Sequence, residues 1–342
     1  MLVDPARLLQ VDLVATCNAH CLHCHRQNVV GLENPHYKKN VHIDLQAFKA
    51  ALKDPSFDQL EEIILSGNYG DPIASDQLLE FLDIVDEVKP ELKLIVHSNG
   101  GLGSKELWET LGPRLKGRGR FVKFAIDGLK DTNHLYRRGV SWDLVMENAA
   151  TFIKAGGRAV WMFIIFDHNQ HQIEEARELS AKLGFAKFET KPNFASHYNA
   201  RYQNLTQQER VELLASLPDR HVSEYTVADG KLATLDIVCD SRVNESLFID
   251  HEGNLWPCTY IGGWKHSSED TKRQHNRERM EDNWEPFYNS IYHHSPSAIL
   301  NHPIFKTVIE DSWTTSSKTP IHWMCAYKCG KEKCAGKKLS AM

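Results

Sequence analysis

Apolar residues in this chain fall into short continuous runs that alternate with stretches of helical period. Leu8 to Thr16 is the first apolar stretch. Asp44 caps a predicted helix whose apolar face is Leu45, Phe48, Ala51 and Leu52. Ile63-Ile64-Leu65 reads as a short buried strand. Leu78, Phe81, Leu82 and Val85 then recur at helical spacing, in a helix expected to start at Ser75 or Asp76 and to close at Pro90. Leu92 to His97 is a third strand, followed by a helix over Lys105 to Leu111. Phe121 to Ile126 is a fourth. Ser141 caps a helix with Val145, Ala149, Phe152 and Ile153 on one side, ended by Gly156-Gly157. Ala159 to Phe166 is a fifth strand, His171 to Leu183 a helix stopped by Gly184, and Ala186 to Lys191 a sixth strand.

Six strand–helix alternations with fully apolar strands predict an α/β protein with a parallel sheet covered by helices. The loops after the strands are rich in Gly, Asn and Asp, and in such folds those strand ends carry the chemistry. A partial (β/α)6 TIM-like barrel fits. A doubly wound open sheet is the alternative, because periodicity does not separate the two.

Beyond residue 192 the pattern changes. Asn193 to Gln203 is a polar connector, and Thr206 with Glu209 makes a capping box for a helix through Leu217, stopped by Pro218. Ser246 to Asp250, a Gly253-containing turn and Leu255 to Cys258 predict a β-hairpin. A very polar stretch with Lys265, His266, Lys272, Arg273, His275, Arg277 and Arg279 reads as an exposed insertion near 263–294, and Ser295-Pro296 starts a helix toward Val308. The expected division is a barrel over 1–200, a connecting helical segment over 201–235, and a small C-terminal domain over 236–342.

The chain has 342 residues and a formal net charge of −5, so the molecule as a whole carries no electrostatic footprint for nucleic acid. No apolar run reaches eighteen residues and the N-terminus lacks a signal-peptide layout, which predicts a cytoplasmic protein without a membrane span. Eight cysteines in such a chain are read as metal ligands before disulfides. Three lie at 17, 21 and 24 and five at 239, 258, 325, 329 and 334, with none between. Two separate sites are expected.

Cys17, Cys21 and Cys24 have C-x3-C-x2-C spacing. Three soft ligands on one loop can hold a metal or cluster and leave one position open for chemistry. Half of a zinc site is the other reading, with His20, His23 or His25 as a fourth ligand. The spacing resembles the signature of the radical SAM superfamily, in which three thiolates hold a [4Fe-4S] cluster whose fourth iron chelates S-adenosylmethionine (SAM).

The resemblance extends along nearly the whole chain. Gly67-Asn68-Tyr69-Gly70-Asp71-Pro72 falls where that family has a Gly-Gly-Glu-Pro turn facing the SAM ammonium group, here with two extra residues and Asp71 in place of glutamate. Ser98-Asn99-Gly100 resembles the family's Thr-Asn-Gly. Phe124 to Gly128 followed by Tyr136-Arg137-Arg138 resembles a run, containing Asp127, in which an arginine pairs with the SAM carboxylate, and Arg137 fits the spacing. Asn169 matches an asparagine near the SAM ribose or carboxylate, and His23 stands where an aromatic residue lies near the adenine. Cys239-x13-Gly253-x4-Cys258, followed by Cys325, Cys329 and Cys334, resembles a SPASM or twitch auxiliary-cluster domain. Five cysteines do not fill two cubanes, so one auxiliary [4Fe-4S] cluster is implied, on Cys239, Cys258, Cys325 and Cys329, with Cys334 as a replacement for either of the tail pair. A structural four-cysteine zinc site is the alternative there.

The resemblance implies reductive cleavage of SAM to a 5′-deoxyadenosyl radical that takes a hydrogen atom from the substrate, in a closed pocket. It also implies an external electron donor of the flavodoxin or ferredoxin type. A monomer is expected. The stretches Asp127 to Arg138 and Ala155 to Trp161 are similar to radical SAM proteins of bacteriophage and marine bacterial genomes. The first expectation is therefore a small-molecule or modified-nucleotide substrate, including amino-acid-modified thymine in phage DNA. Maturation of a ribosomal peptide is the second, weighed against by how near the chain's start lies to the cysteine loop. A zinc-stabilised nucleic-acid-binding protein without catalysis is the third, and the basic, aromatic-bearing 265–294 stretch is its candidate contact surface, as it would be for DNA.

Overall fold

The computed structural model describes residues 5–21, 24, 26–27, 33–34, 37–117, 119–193, 206, 208–209, 235–263, 287–311, 313, 325 and 329–332. Six strands, β1 (Leu8–Val11), β2 (Glu62–Leu65), β3 (Lys93–Ser98), β4 (Arg120–Ala125), β5 (Ala159–Ile165) and β6 (Lys187–Pro192), pair in parallel in unbroken sequence order. A doubly wound sheet reverses its order at a switch point. Here there is no reversal among β1–β6, so right-handed crossovers carry every helix to one side and the sheet curls as a partial barrel.

The crossover helices are α1 (Leu45–Leu52), α2 (Leu78–Val88), α3 (Lys105–Arg114), the short α4 (Asn133–Tyr136), α5 (Trp142–Lys154) and α6 (Ile173–Leu183). Alternate strand residues face them. Leu9, Val11, Ile63, Leu65, Leu94, Val96, Val122, Phe124, Trp161 and Phe163 are all fully buried, against Phe48, Phe81, Trp108 and Phe152 of the helices. Each such side chain contributes about 1.5–3 kcal/mol on burial. The residues between them, Gln10, Ile64, His97, Lys123, Met162 and Glu189, face the concave side.

Several expectations shift in the structure. Asp71 caps a 3₁₀ turn at Pro72–Ala74, and the Ser75 hydroxyl accepts from the Gln77 amide, so α2 begins at Leu78 rather than at Ser75 or Asp76. The sixth helix opens as a 3₁₀ turn at Gln170–Gln172 before α6 proper. β6 is not apolar on both faces. It is the sheet's edge, and most of its side chains reach solvent.

The predicted hairpin forms, as β8 (Ser246–Ile249) and β9 (Leu255–Trp256), but in an unforeseen place. β8 lies parallel to β1 and extends the main sheet to the order β6-β5-β4-β3-β2-β1-β8-β9. Its side chains join the same contiguous core. A second, two-stranded sheet pairs β7 (Leu235–Ile237) with β10 (Gly330–Glu332). α7 (Asp240–Val243) follows β7, α8 (Thr259–Gly262) follows β9, and α9 (Pro296–Leu300) is capped by Ser295 as expected. The helix toward Val308 is interrupted after Leu300, because Pro303 has no N–H to return to Ile299, and helical structure resumes at Ile304–Asp311. The Thr206–Glu209 capping box makes its reciprocal bonds. The rest of that helix, His23, His25, Cys334 and most of the polar insertion lie outside the described residues.

Candidate functional site

The loop after β1 carries the three N-terminal thiols to the C-terminal end of the sheet. Its shape is set by polar anchors. Arg26, buried, donates to the carbonyls of Ala19 (2.9 Å) and Cys17 (3.0 Å), while its guanidinium lies 5.1 Å from the Tyr37 ring centre. Tyr37 in turn donates to the carbonyls of Ala15 and Tyr69. On the other side, Asn18 donates to the Gly101 carbonyl (2.9 Å), and Asn99 donates to Asn18 Oδ1 (2.9 Å) and Cys17 Sγ (3.4 Å). Gly70 packs directly beneath this loop. A Cβ there would stand 2.0 Å from the Val14 carbonyl oxygen, so no larger residue fits.

Asp71 ties the turn after β2 to the turn after β3. One oxygen accepts from the Ile73 amide (3.0 Å), the other from Ser98 Oγ (3.1 Å) and the Asn99 amide (2.8 Å). After β4, fully buried Asp127 accepts from Arg137 Nε at 2.6 Å and from the Ile164 amide at 2.6 Å. Arg137 Nη1 lies 3.8 Å from Cys21 Sγ. Burial alone would lower the Arg137 pKa, but the Asp127 carboxylate more than offsets it, and the guanidinium stays charged.

These side chains enclose a cavity of about 260 Å³, lined by Cys17, Cys21 and Cys24 on one wall and by Gly67, Asn68, Asn99 and Arg137 among the others. Burial pushes the Cys17 and Cys21 thiols up to about 11, and Arg26 at Cys17 and Arg137 at Cys21 act in the opposite sense. A metal ligand must be the thiolate. Two cations therefore stand beside the three thiols, of which Cys21 is buried and Cys17 and Cys24 half-buried, and both favour the thiolate form. Among the described residues no three His, Cys, Asp or Glu side chains form a group that could hold a single metal ion. A cubane differs in giving each thiolate its own iron, and the donor set fits one with an open position.

The Radical SAM superfamily model matches residues 12–180. That stretch is a radical SAM domain. The fold is similar to that of anSMEcpe with bound AdoMet, at 13% identity and a TM-score of 0.58, over 95% of this chain and 92% of that one. It is also similar to Streptococcus suis SuiB bound to S-adenosylmethionine, at 13% identity and a TM-score of 0.51, over 75% of this chain and 61% of that one. The chain thus spans about three-fifths of the length of SuiB. At these identities the likeness is one of fold. No curated protein matches the chain by sequence.

Of the residues the sequence singled out in the radical SAM domain, Cys17, Cys21, Cys24, Gly67, Asn68, Gly70, Asp71, Ser98, Asn99 and Arg137 share the cavity wall. Asp127 sits behind Arg137. Asn169 sits behind Asp127, donating to the carbonyls of Asp127 and Ile164 and accepting from the Phe166 amide. Tyr69 turns away into the core, 5.4 Å from the His251 ring. His23 lies outside the described residues. Arg26, His97 and Met162 also line the wall and were not foreseen. Burial, then Lys123 and Lys191, push His97 down to about 3, so it is neutral.

A second cavity, of about 360 Å³, is lined by Cys239, Cys258, Cys325 and Cys329. Cys258 caps α8, its Sγ accepting from the Ile261 amide at 3.4 Å. The Cys329 carbonyl accepts from the Val238 amide beside Cys239, so the β7–β10 pairing brings these two cysteines together. Burial pushes the Cys258 thiol up to about 12. Ser66, Asn68 and His97 line both cavities, which therefore share a wall.

Proposed function

We propose that the chain is a radical SAM enzyme in which Cys17, Cys21 and Cys24 hold a [4Fe-4S] cluster that binds SAM. In the same reading Cys239, Cys258, Cys325 and Cys329 hold one auxiliary [4Fe-4S] cluster, and Cys334 is a replacement for either tail ligand. The observation that supports this most is the pair of thiol-lined cavities with the common wall of Ser66, Asn68 and His97.

When bound, the first cluster, held by Cys17, Cys21 and Cys24, and SAM would supply radical chemistry able to take a hydrogen atom from the substrate. The chain's own groups do the rest. Arg137, locked through Nε by Asp127 and with Nη1 at Cys21 Sγ, would give its remaining N–H groups to the SAM carboxylate. Asn99 and Asn18 brace the Cys17 sulfur. The turns at Gly67–Asp71 and Ser98–Asn99 present backbone and short polar groups to the cofactor, and a compact substrate would lie against Ser66, Asn68 and His97, which line both cavities.

The substrate is a small molecule or a modified nucleotide, with modified thymine in phage DNA as one candidate, and reduction comes from a flavodoxin- or ferredoxin-type donor. Peptide modification is a second reading. It is favoured by likeness of fold to SuiB bound to precursor peptide SuiA (TM-score 0.51, 14% identity) and to anSMEcpe with bound AdoMet and Kp18Cys peptide (TM-score 0.54, 14% identity).

Anaerobic reconstitution tests the proposal. The expected result is about eight irons per chain, with 5′-deoxyadenosine formed from SAM and dithionite and lost in the Cys17, Cys21 and Cys24 triple alanine variant. About four irons removes the auxiliary cluster. Zinc without iron, and no SAM cleavage, overturns the reading.

A further inference from the structure

Asp12 follows β1 and is 1% exposed. Its Oδ1 accepts from Ser66 Oγ (3.2 Å), the Asn68 amide (3.0 Å) and Asn68 Nδ2 (3.3 Å), while Asn68 Nδ2 also donates to Ser66 Oγ (2.8 Å). Its Oδ2 has no hydrogen-bond partner among the described residues. The Asp12 amide donates to the Ile249 carbonyl, which fixes the residue between β2 and β8. The titratable groups facing it are Asp250 from the end of β8 and Tyr69 from the turn after β2, whose ring lies 5.4 Å from that of His251. Asp250 carries the same sign of charge. A buried carboxylate with an orphaned oxygen and a like-charged neighbour is costly. What distinguishes this one is its partners, since both Ser66 and Asn68 line the wall common to the two thiol-lined cavities.

We propose that Asp12 and Ser66 form a buried proton-accepting pair on that shared wall. The proposal rests on the function argued above. A substrate O–H or N–H bond breaks and its proton goes to Ser66 Oγ, while the Ser66 proton passes to Asp12 Oδ1, forming the carboxylic acid. No electron moves in this step. Asp12 acts through Ser66 and does not itself touch substrate. Such a pair serves a substrate whose reacting carbon carries a hydroxyl or amino group. Burial raises the Asp12 pKa to about 7, with Asp250 adding to the rise and the Asn68 and Ser66 bonds opposing it, which lets the carboxylate take up and release a proton near neutrality.

The test needs no substrate and reads unfolding, so it fails independently of the iron and 5′-deoxyadenosine assay. The folded pKa of Asp12 lies above its unfolded value. Its contribution to stability is therefore full below about pH 4 and is lost as pH rises through about 7. Asp12→Asn keeps the shape and removes the titration. The unfolding midpoint of reconstituted D12N should gain several degrees on the parent between about pH 5 and about pH 8. Ser66→Ala removes a bond to the ionised form, so the parent's decline should move to higher pH in S66A. Parallel profiles for D12N and parent would overturn the buried proton. An S66A profile superimposed on the parent would overturn the Ser66 link. A carboxylate with an ordinary pKa moves neither slope.

Discussion

Arg137 carries a permanent charge in a place nearly closed to water, and Asp127 makes that tolerable. The carboxylate is fully buried, the guanidinium largely so, and the Nε–Oδ2 distance is 2.6 Å. Removing one partner of such a pair leaves the other's charge uncompensated. Asp127→Asn should therefore cost about 3–5 kcal/mol in denaturant unfolding. A loss below about 1 kcal/mol would mean that the pair does not hold the site. Arg137→Lys tests the fork. An ammonium group has no Nε–H to give Asp127 while also presenting two donors to the cavity, so SAM binding to the reconstituted protein should weaken at least about tenfold. At this scale the sequence was informative where residue type and spacing coincide. The three cysteines, Asp127 and Arg137 could be picked from their runs. Arg26, His97 and Asp12 could not, because their roles come from burial and from neighbours distant in sequence. Tyr69 and Asn169 show the converse. They sit in motif positions, yet their side chains are spent inside the scaffold.

At the scale of elements, the six strand–helix units were legible because strand runs and helix periodicities are local. The helix starts were less so, since Asp71, Ser75 and Asn169 organise 3₁₀ turns that compete with the α-helical start. The placement of the hairpin was not legible at all. Pairing of β8 with β1 joins residues about 238 apart, as Leu8 with Ser246, and no local pattern encodes that. Gly253 makes the hairpin possible. It has φ +75°, and a Cβ there would meet the Tyr292 ring at 2.4 Å, while the Tyr292 hydroxyl accepts from the Asp44 amide at the start of α1. Gly253→Ala must displace the ring and strain the turn, at a cost of about 1–3 kcal/mol. The unfolding midpoint should fall by several degrees, and iron should be lost from the second thiol set before the first, as followed by iron content against Cys258→Ala. Equal loss from both sets would mean that the turn does not act on the second set selectively.

For the whole molecule, the two thiol sets belong to opposite ends of the sequence but to one core. β1 lies between β2 and β8, so the strand that delivers Cys17 is held on one side by the radical SAM domain and on the other by the hairpin leading to Cys258. Phe248, Trp256, Ile299, Phe305 and Cys325 join the same buried cluster as Leu9, Phe48 and Phe124. A division at residue 236 would make the C-terminal part a separate folding unit, with its own transition. The strand order argues for one cooperative unit through the hairpin, because pulling β8 away strips β1 of a full ladder of hydrogen bonds and opens the core beside the first thiol set. Hydrogen exchange monitored along the chain is the discriminating measurement. Amides of Ser246–Ile249 should share the protection of Leu8–Val11 and lose it at the same denaturant concentration. If the hairpin exchanged early while β1–β6 stayed protected, the C-terminal region would be an independent unit docked on a complete barrel. The shared wall at Ser66, Asn68 and His97 would then open and close with that docking. With a single unit the wall is fixed, and the spacing between the two thiol sets is a constant of the fold.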